Sequence, residues 1–129
     1  MSSPLIAVID DDEALCLSLA DLMRSIGYRA EPFDSAEMFL NSSDLFAFDC
    51  VIADVHMPGM TGIELNRHLT NAGCAIPTIL VTAYPDEVVR DRALKDGVVR
   101  YLGKPVDDGY LDQCLRSALQ HAAPTGGNS

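Results

Sequence analysis

The chain has 129 residues, 48% apolar and 22% charged, which suits one soluble domain with a core that needs no covalent staples. Nineteen Asp plus Glu against nine Lys plus Arg leave a formal net charge of −10, which repels phosphate backbones and anionic membranes and argues against direct nucleic-acid binding by this segment. The start, MSSPLIAVIDDDE, lacks a basic region and turns acidic after five apolar residues, so it reads as neither a signal peptide nor a membrane span.

In chain order, the first predicted strand is the apolar run Leu5 to Ile9. A helix follows, with Leu15, Leu19, Leu22, Met23 and Ile26 at three- and four-residue steps, and Gly27 supplies its C-terminal cap. Tyr28 to Phe33 reads as a weaker strand, placed at an edge because Pro32 cannot donate to a central ladder. The stretch from Asp34 to Glu37 (DSAE) has the pattern of a capping box opening a second helix.

Val51 to Ala53 is the third strand, and Thr61 to Glu64 (TGIE) opens the third helix, which Gly73 closes. Ile79 to Val81 is the fourth strand. Pro85 suits the first turn of a fourth helix ending at Gly97, and Val98 to Leu102 is the fifth strand. Leu111, Leu115, Ala118 and Leu119 mark the last helix, and residues 122–129 read as a flexible tail or the start of a linker.

The central strand candidates are continuously rather than alternately apolar, as strands covered on both faces are. Five strand–helix repeats therefore predict an α/β fold, a single doubly wound (βα)5 domain over residues 1–121, flavodoxin-like, with a five-stranded parallel sheet of order 2-1-3-4-5 and helices on both faces. Cys16, Cys50, Cys74 and Cys114 show no metal-ligand rhythm and fall in apolar stretches, where small buried thiols in a reducing cytoplasm are the simplest reading.

Open α/β sheets bind ligands beyond the carboxyl ends of their strands. Asp10-Asp11-Asp12-Glu13 follows the first strand, Asp54 the third, Thr82-Ala83-Tyr84 the fourth, and Lys104-Pro105 the fifth. Asp54 closes an apolar run, so it either marks an exit into water or faces groups that converge on it. The expected strand order favours convergence. Three carboxylates and one ammonium then sum to −2, which suits a divalent ion, and an incomplete all-oxygen cage fits Mg²⁺ better than Zn²⁺ or Ca²⁺. Asp54 is suited to act as a carboxylate nucleophile on phosphorus, Lys104 with the metal to hold the transferring oxygens, and Thr82 to hydrogen-bond one of them.

Asp12 and Glu13 read as first-turn helix acids, His68 and His121 as solvated side chains, and Met57 and Met60 as loop packing.

The segments VIDDDE, IADVHMPGMTG, ILVTA and YLGKP, in this order, resemble the receiver domain of bacterial two-component response regulators. The resemblance covers nearly all of residues 4–121. It implies that Asp54 accepts a phosphoryl group from a sensor histidine kinase. It also implies that Asp10, Asp11 and Asp54 bind Mg²⁺ with the main-chain carbonyl of His56, Asp11 being the more direct ligand of the acidic pair.

Thr82 and Lys104 match the phosphate contacts, Thr82 and Tyr101 the switch pair, and Lys104–Pro105 a bond that is usually cis. His56 and Tyr84 match positions that tune the acyl phosphate's lifetime, either by hindering the attacking water or, for His56, by orienting it. The face formed by the fourth helix, fifth strand and fifth helix would then change shape and control an output domain or partner, with homodimerisation on phosphorylation as one form.

On this reading the chain is a cytoplasmic phosphoprotein in signal transduction, not an enzyme acting on outside substrates. The alternative is a degenerate receiver serving as a constitutive protein-interaction module. A phosphohydrolase is disfavoured because Asp54-Val55-His56 lacks a second carboxylate, and a nucleotide- or flavin-binding domain because no Gly-rich loop follows the first strand.

Overall fold

The computed structural model describes residues 3–42 and 45–122. The strands are β1 (Leu5–Ile9), β2 (Arg29–Phe33), β3 (Cys50–Asp54), β4 (Thr78–Thr82) and β5 (Arg100–Gly103). The helices are α1 (Glu13–Ser25), α2 (Ala36–Leu40), α3 (Gly62–Asn71), α4 (Glu87–Lys95) and α5 (Asp108–Ala122). All strand pairs are parallel, in the order β2-β1-β3-β4-β5, and Pro32 lies in the edge strand β2 as expected.

The period-two alternation of the strands divides the core between two faces. Ile6, Val8, Cys50, Ile52, Ile79 and Val81 pack under α1 and α5, against Cys16, Ala20, Met23, Leu111, Leu115 and Ala118. Leu5, Ala7, Ile9, Val51, Ala53 and Leu80 pack under α2, α3 and α4, against Ala36, Phe39, Leu65, Leu69 and Ala93. Each large apolar side chain buried this way contributes about 1.5–3 kcal/mol. Phe33, Phe39 and Phe48 meet edge to face at 5.2–5.8 Å, which closes the β2–α2 corner.

Several local expectations are corrected. The cap of α2 is Ser35, whose hydroxyl accepts from the Met38 amide, so Asp34 to Glu37 is no capping box. The Glu37 carboxylate instead accepts from the Met60 amide. Asp86 caps α4 by accepting from the Val88 and Val89 amides, which leaves Pro85 before the helix rather than in its first turn. Strand β5 begins at Arg100, because Val98 is still engaged with the end of α4, its N–H donating a hydrogen bond to the Ala93 carbonyl.

The fully buried line of α1 is Cys16, Ala20 and Met23. Leu15, Leu19 and Leu22 are only half-buried, and Ile26 is an exposed C-cap. A short 3-10 turn at Leu45–Ala47 had no sequence signal. Helix α5 includes Ala122, so of the expected tail residues 123–129 lie outside the described residues. The Thr61–Glu64 capping box is formed in both directions. Gly27, Gly73 and Gly97 follow their helices at positive φ.

All four cysteines are free and buried. Burial pushes the Cys50 thiol up to about 12, well above the range in which a thiolate forms at neutral pH. The folded protein at pH 8 is therefore expected to resist iodoacetamide at Cys50, and all four thiols to react once it is unfolded in guanidinium, as followed by peptide mass mapping. Rapid labelling of Cys50 in the folded state would contradict this packing.

Candidate functional site

The register of the sheet builds the site. Ile9 pairs with Ala53, Asp54 with Val81, and Thr82 with Gly103, so the chain leaves β1, β3, β4 and β5 at one level. Short main-chain hydrogen bonds join neighbouring tips. The Val55 amide donates to the Val81 carbonyl at 2.8 Å and the Lys104 amide to the Thr82 carbonyl at 2.7 Å. Gly62 is the first residue of α3, where a Cβ would lie 2.5 Å from the Asp54 carbonyl oxygen, so only glycine lets α3 start this close to the strand tip.

At that level the Lys104 ammonium lies between two carboxylates, 3.0 Å from Asp10 Oδ2 and 3.2 Å from Asp54 Oδ2. Both acids are buried, Asp10 at 1% exposure and Asp54 at 7%. Their second oxygens are held as well. Asp10 Oδ1 accepts from the Asp12 amide at 2.9 Å and Asp54 Oδ1 from the His56 amide at 3.2 Å. Asp11 is exposed, yet one of its oxygens lies within 4.8 Å of oxygens from both Asp10 and Asp54. Asp12 is withdrawn from the cluster as the N-cap of α1, accepting from the Leu15 amide.

Burial raises the Asp54 pKa above the carboxylate norm of 3.8, the hydrogen bond from Lys104 only partly offsetting it, with the Asp10 charge adding to the rise. Burial would lower the Lys104 pKa, but its bonds to Asp10 and Asp54 and their charges outweigh that, and it rises above 10.5. The site is thus an over-filled anionic cluster with one cation. Its donor set of three converging carboxylates fits a hard divalent ion with oxygen ligands, the chemistry of Mg²⁺.

Thr82 is fully buried, and its hydroxyl accepts from the Tyr84 amide at 3.0 Å. Tyr101 is half-buried against the α2–α3–α4 side of the core, and its hydroxyl accepts from the Asp86 amide, at the cap of α4, at 3.2 Å. Because Tyr101 is paired with Leu80, Thr82 and Tyr101 occupy the same face of adjacent strands. The rings of His56 and Tyr84, both exposed, meet edge to face at 5.8 Å. Lys104–Pro105 is cis. His68 is exposed on α3, as read from the sequence; of the two methionines read as loop packing, Met57 is buried in the core and Met60 is partly buried against it. The side chain of His121 lies outside the described residues. Glu37 was missed, because its use 23 positions away leaves no local signal.

A parallel 2-1-3-4-5 sheet with acids at the tips of β1 and β3 and a lysine after β5 defines a receiver domain of the kind found in signalling proteins. The profile of the response regulator receiver domain matches residues 6–116, and the chain belongs to that family. It is 37% identical over 124 residues to the response regulator protein TodT of Pseudomonas putida F1, covering 96% of this chain and 55% of that protein. It is 38% identical over 119 residues to the transcriptional regulatory protein FixJ of Bradyrhizobium diazoefficiens, covering 92% and 58%.

Among solved structures it matches the response regulator StyR, with a TM-score of 0.87, 36% identity, and coverage of 95% of this chain and 62% of that one. Full-length FixJ matches with a TM-score of 0.84 and 36% identity, over 96% and 61% of the two chains. The chain therefore spans a little over half the length of the curated relatives it matches. Among the described residues no helix is long and apolar enough to cross a membrane.

The over-filled cluster has a consequence for stability without metal. A carboxylate whose folded pKa is raised costs stability above that pKa and none below its unfolded value. Asp54→Asn is therefore expected to raise the melting temperature of the metal-free protein at pH 7, with the gain fading as pH falls toward 4. Lys104→Met, which leaves Asp10 buried without its cation, is expected to cost about 2 kcal/mol. Calorimetry on the two variants across that pH range checks both signs.

Proposed function

We propose that this receiver domain is a phosphorylation-activated switch in which Asp54 accepts a phosphoryl group from the phosphohistidine of a sensor histidine kinase. The observation that carries the reading is the position of Lys104 between Asp10 and Asp54, with Asp11 beside them at the strand tips. Asp10, Asp11, Asp54 and the main-chain carbonyl of His56 would hold Mg²⁺, which supplies charge neutralisation for the phosphoryl oxygens.

One Asp54 carboxylate oxygen forms a bond to phosphorus as the phosphorus–nitrogen bond breaks, and the imidazole leaves with the electron pair and takes up a proton. Lys104 is within reach of the oxygens on Asp54 and offsets charge on the transferring group, and the Thr82 hydroxyl donates to one phosphoryl oxygen. The product is an acyl phosphate, a modification of the chain itself rather than turnover of an outside substrate.

Drawing Thr82 toward the phosphoryl group opens space on the face it shares with Tyr101. Tyr101 then turns further into the core and gives up its bond to the Asp86 amide, which alters the start of α4 and the α4–β5–α5 face. Partners reading that face are an output domain on the same chain or a separate protein, with a second phosphorylated copy as a further partner. The relatives' greater length supports the output-domain form. The −10 charge supports assigning any DNA contact to that other domain, and the absence of disulfides supports a cytoplasmic setting. The domain is taken to span residues 1–121.

Incubation with acetyl phosphate followed by intact-mass analysis tests the reading. A single phosphoryl adduct is expected with Mg²⁺, none after chelation, and none on Asp54→Asn. Absence of an adduct from acetyl phosphate and from a competent kinase would favour a constitutive interaction module instead.

The ring pair His56–Tyr84 bears on the adduct's lifetime. Its edge-to-face contact supports a hindering role, in which the two rings restrict the approach of water to the acyl phosphate. Tyr84→Ala is expected to shorten the adduct's half-life by about threefold, a barrier change of under 1 kcal/mol. An unchanged or longer half-life would overturn the hindering role.

A further inference from the structure

We propose that Glu37 is a positioning residue for metal binding and phosphorylation at Asp54, acting through the loop that joins β3 to α3; this rests on the receiver reading above. The loop runs from Val55 to Thr61 and carries His56, whose amide holds Asp54 Oδ1 and whose carbonyl is the fourth protein oxygen proposed for the metal. Its two ends are anchored. The Val55 amide bonds the Val81 carbonyl, the Gly62 amide bonds the Val55 carbonyl, and the Thr61 amide bonds Glu64 within the capping box. Met57 is buried in the core.

Between those anchors, Pro58, Gly59 and Met60 run along the surface, where Pro58 and Gly59 are exposed and Met60 is partly buried against the core. There the Glu37 carboxylate, from the start of α2, accepts from the Met60 amide at 3.0 Å, a side-chain bond from another element to this stretch. The fit around it is specific. Gly59 has φ +78°, and a Cβ there would lie 2.7 Å from Glu37 Oε2. The glycine therefore serves both the turn and the close approach of the carboxylate.

The same geometry accounts for Glu37 leaving the capping pattern that the sequence offered it. Ser35 caps α2 alone, and the acid is directed across to the loop. Losing the carboxylate frees the Met60 amide and loosens the segment between His56 and Thr61. The cost falls on the alignment of the His56 main chain rather than on the core. Outer partners of metal ligands act in this way, by restricting the ligand before the ion arrives.

The test compares the native chain with Glu37→Ala, Glu37→Gln and Gly59→Ala. Three quantities are read: amide hydrogen exchange at Met60 without metal, the Mg²⁺ concentration giving half-maximal phosphorylation by acetyl phosphate, and the melting temperature. Glu37→Ala is expected to speed exchange at Met60 and raise the half-saturating Mg²⁺ by about three- to tenfold, below the roughly 10–100-fold effects of groups bonded directly to a metal ligand, because Glu37 holds the loop at Met60 rather than His56 itself. Glu37→Gln, whose amide oxygen still accepts from Met60, is expected to restore both.

Gly59→Ala, whose Cβ would crowd Glu37 Oε2 and strain the turn at φ +78°, is expected to raise the half-saturating Mg²⁺ at least as far as Glu37→Ala, and adding Glu37→Ala to it should change that dependence little further. A lower melting temperature for Glu37→Ala with native Mg²⁺ dependence would make the bond merely structural and overturn the proposal. Failure of Glu37→Gln to restore the Mg²⁺ dependence would overturn it too. Absence of any adduct on the native chain would instead bring down the receiver chemistry itself.

Discussion

The site depends on one ammonium group between two buried carboxylates. Lys104 reaches back from the end of β5 to Asp10 and Asp54, at the ends of β1 and β3, and so ties three strand tips together where the sheet would otherwise gather like charge. Removing charges from water is expensive, and the attraction within such a cluster seldom does more than compensate. The two partners divide on this: for Lys104 the bonds and charges of Asp10 and Asp54 outweigh burial, whereas for Asp54 burial prevails over Lys104, and Asp11 adds a third carboxylate. Three converging carboxylates against one ammonium leave a donor set that fits a divalent ion, and the proposed switch is built on that fit.

The remainder of the fold serves that cluster by bringing backbone close and keeping it there. Parallel pairing puts Asp54 level with Val81 and Thr82 level with Gly103, which no hairpin architecture would do for residues so far apart in sequence. Gly62 lets α3 begin against the Asp54 carbonyl, and the Thr61–Glu64 box fixes where it begins. From the same tips, Thr82 and Tyr101 lead along one face to the cap of α4. A change at the cluster thus has a short packed route to the surface.

Much of this was legible in the sequence because it is local. Continuous apolar runs marked the buried strands, Pro32 marked the edge, and Gly27, Gly73 and Gly97 marked helix ends. Asp10, Asp11, Asp54 and Lys104 could be brought together once the strand order was assumed, since each stands at a strand exit. What escaped was set by competition between neighbours or by contacts across the fold. Ser35 outcompetes Asp34 for the cap of α2, and Asp86 rather than Pro85 defines the start of α4. The leucines of α1 dominate its helical stripe, yet the small residues Cys16 and Ala20 join Met23 in the buried line. Glu37 carries no mark of its partner Met60.

A cluster that needs a cation should take one at a defined place, and the chain's lack of tryptophan favours nuclear magnetic resonance over fluorescence for seeing it. The most direct measurement is a Mg²⁺ titration of ¹⁵N-labelled protein. Saturable shifts are expected at the amides of Asp10 to Asp12, Asp54 to Met57 and Lys104, and the same titration on Asp11→Asn should require far more Mg²⁺. Non-saturating shifts scattered over the acidic surface, indifferent to Asp11→Asn, would contradict the account.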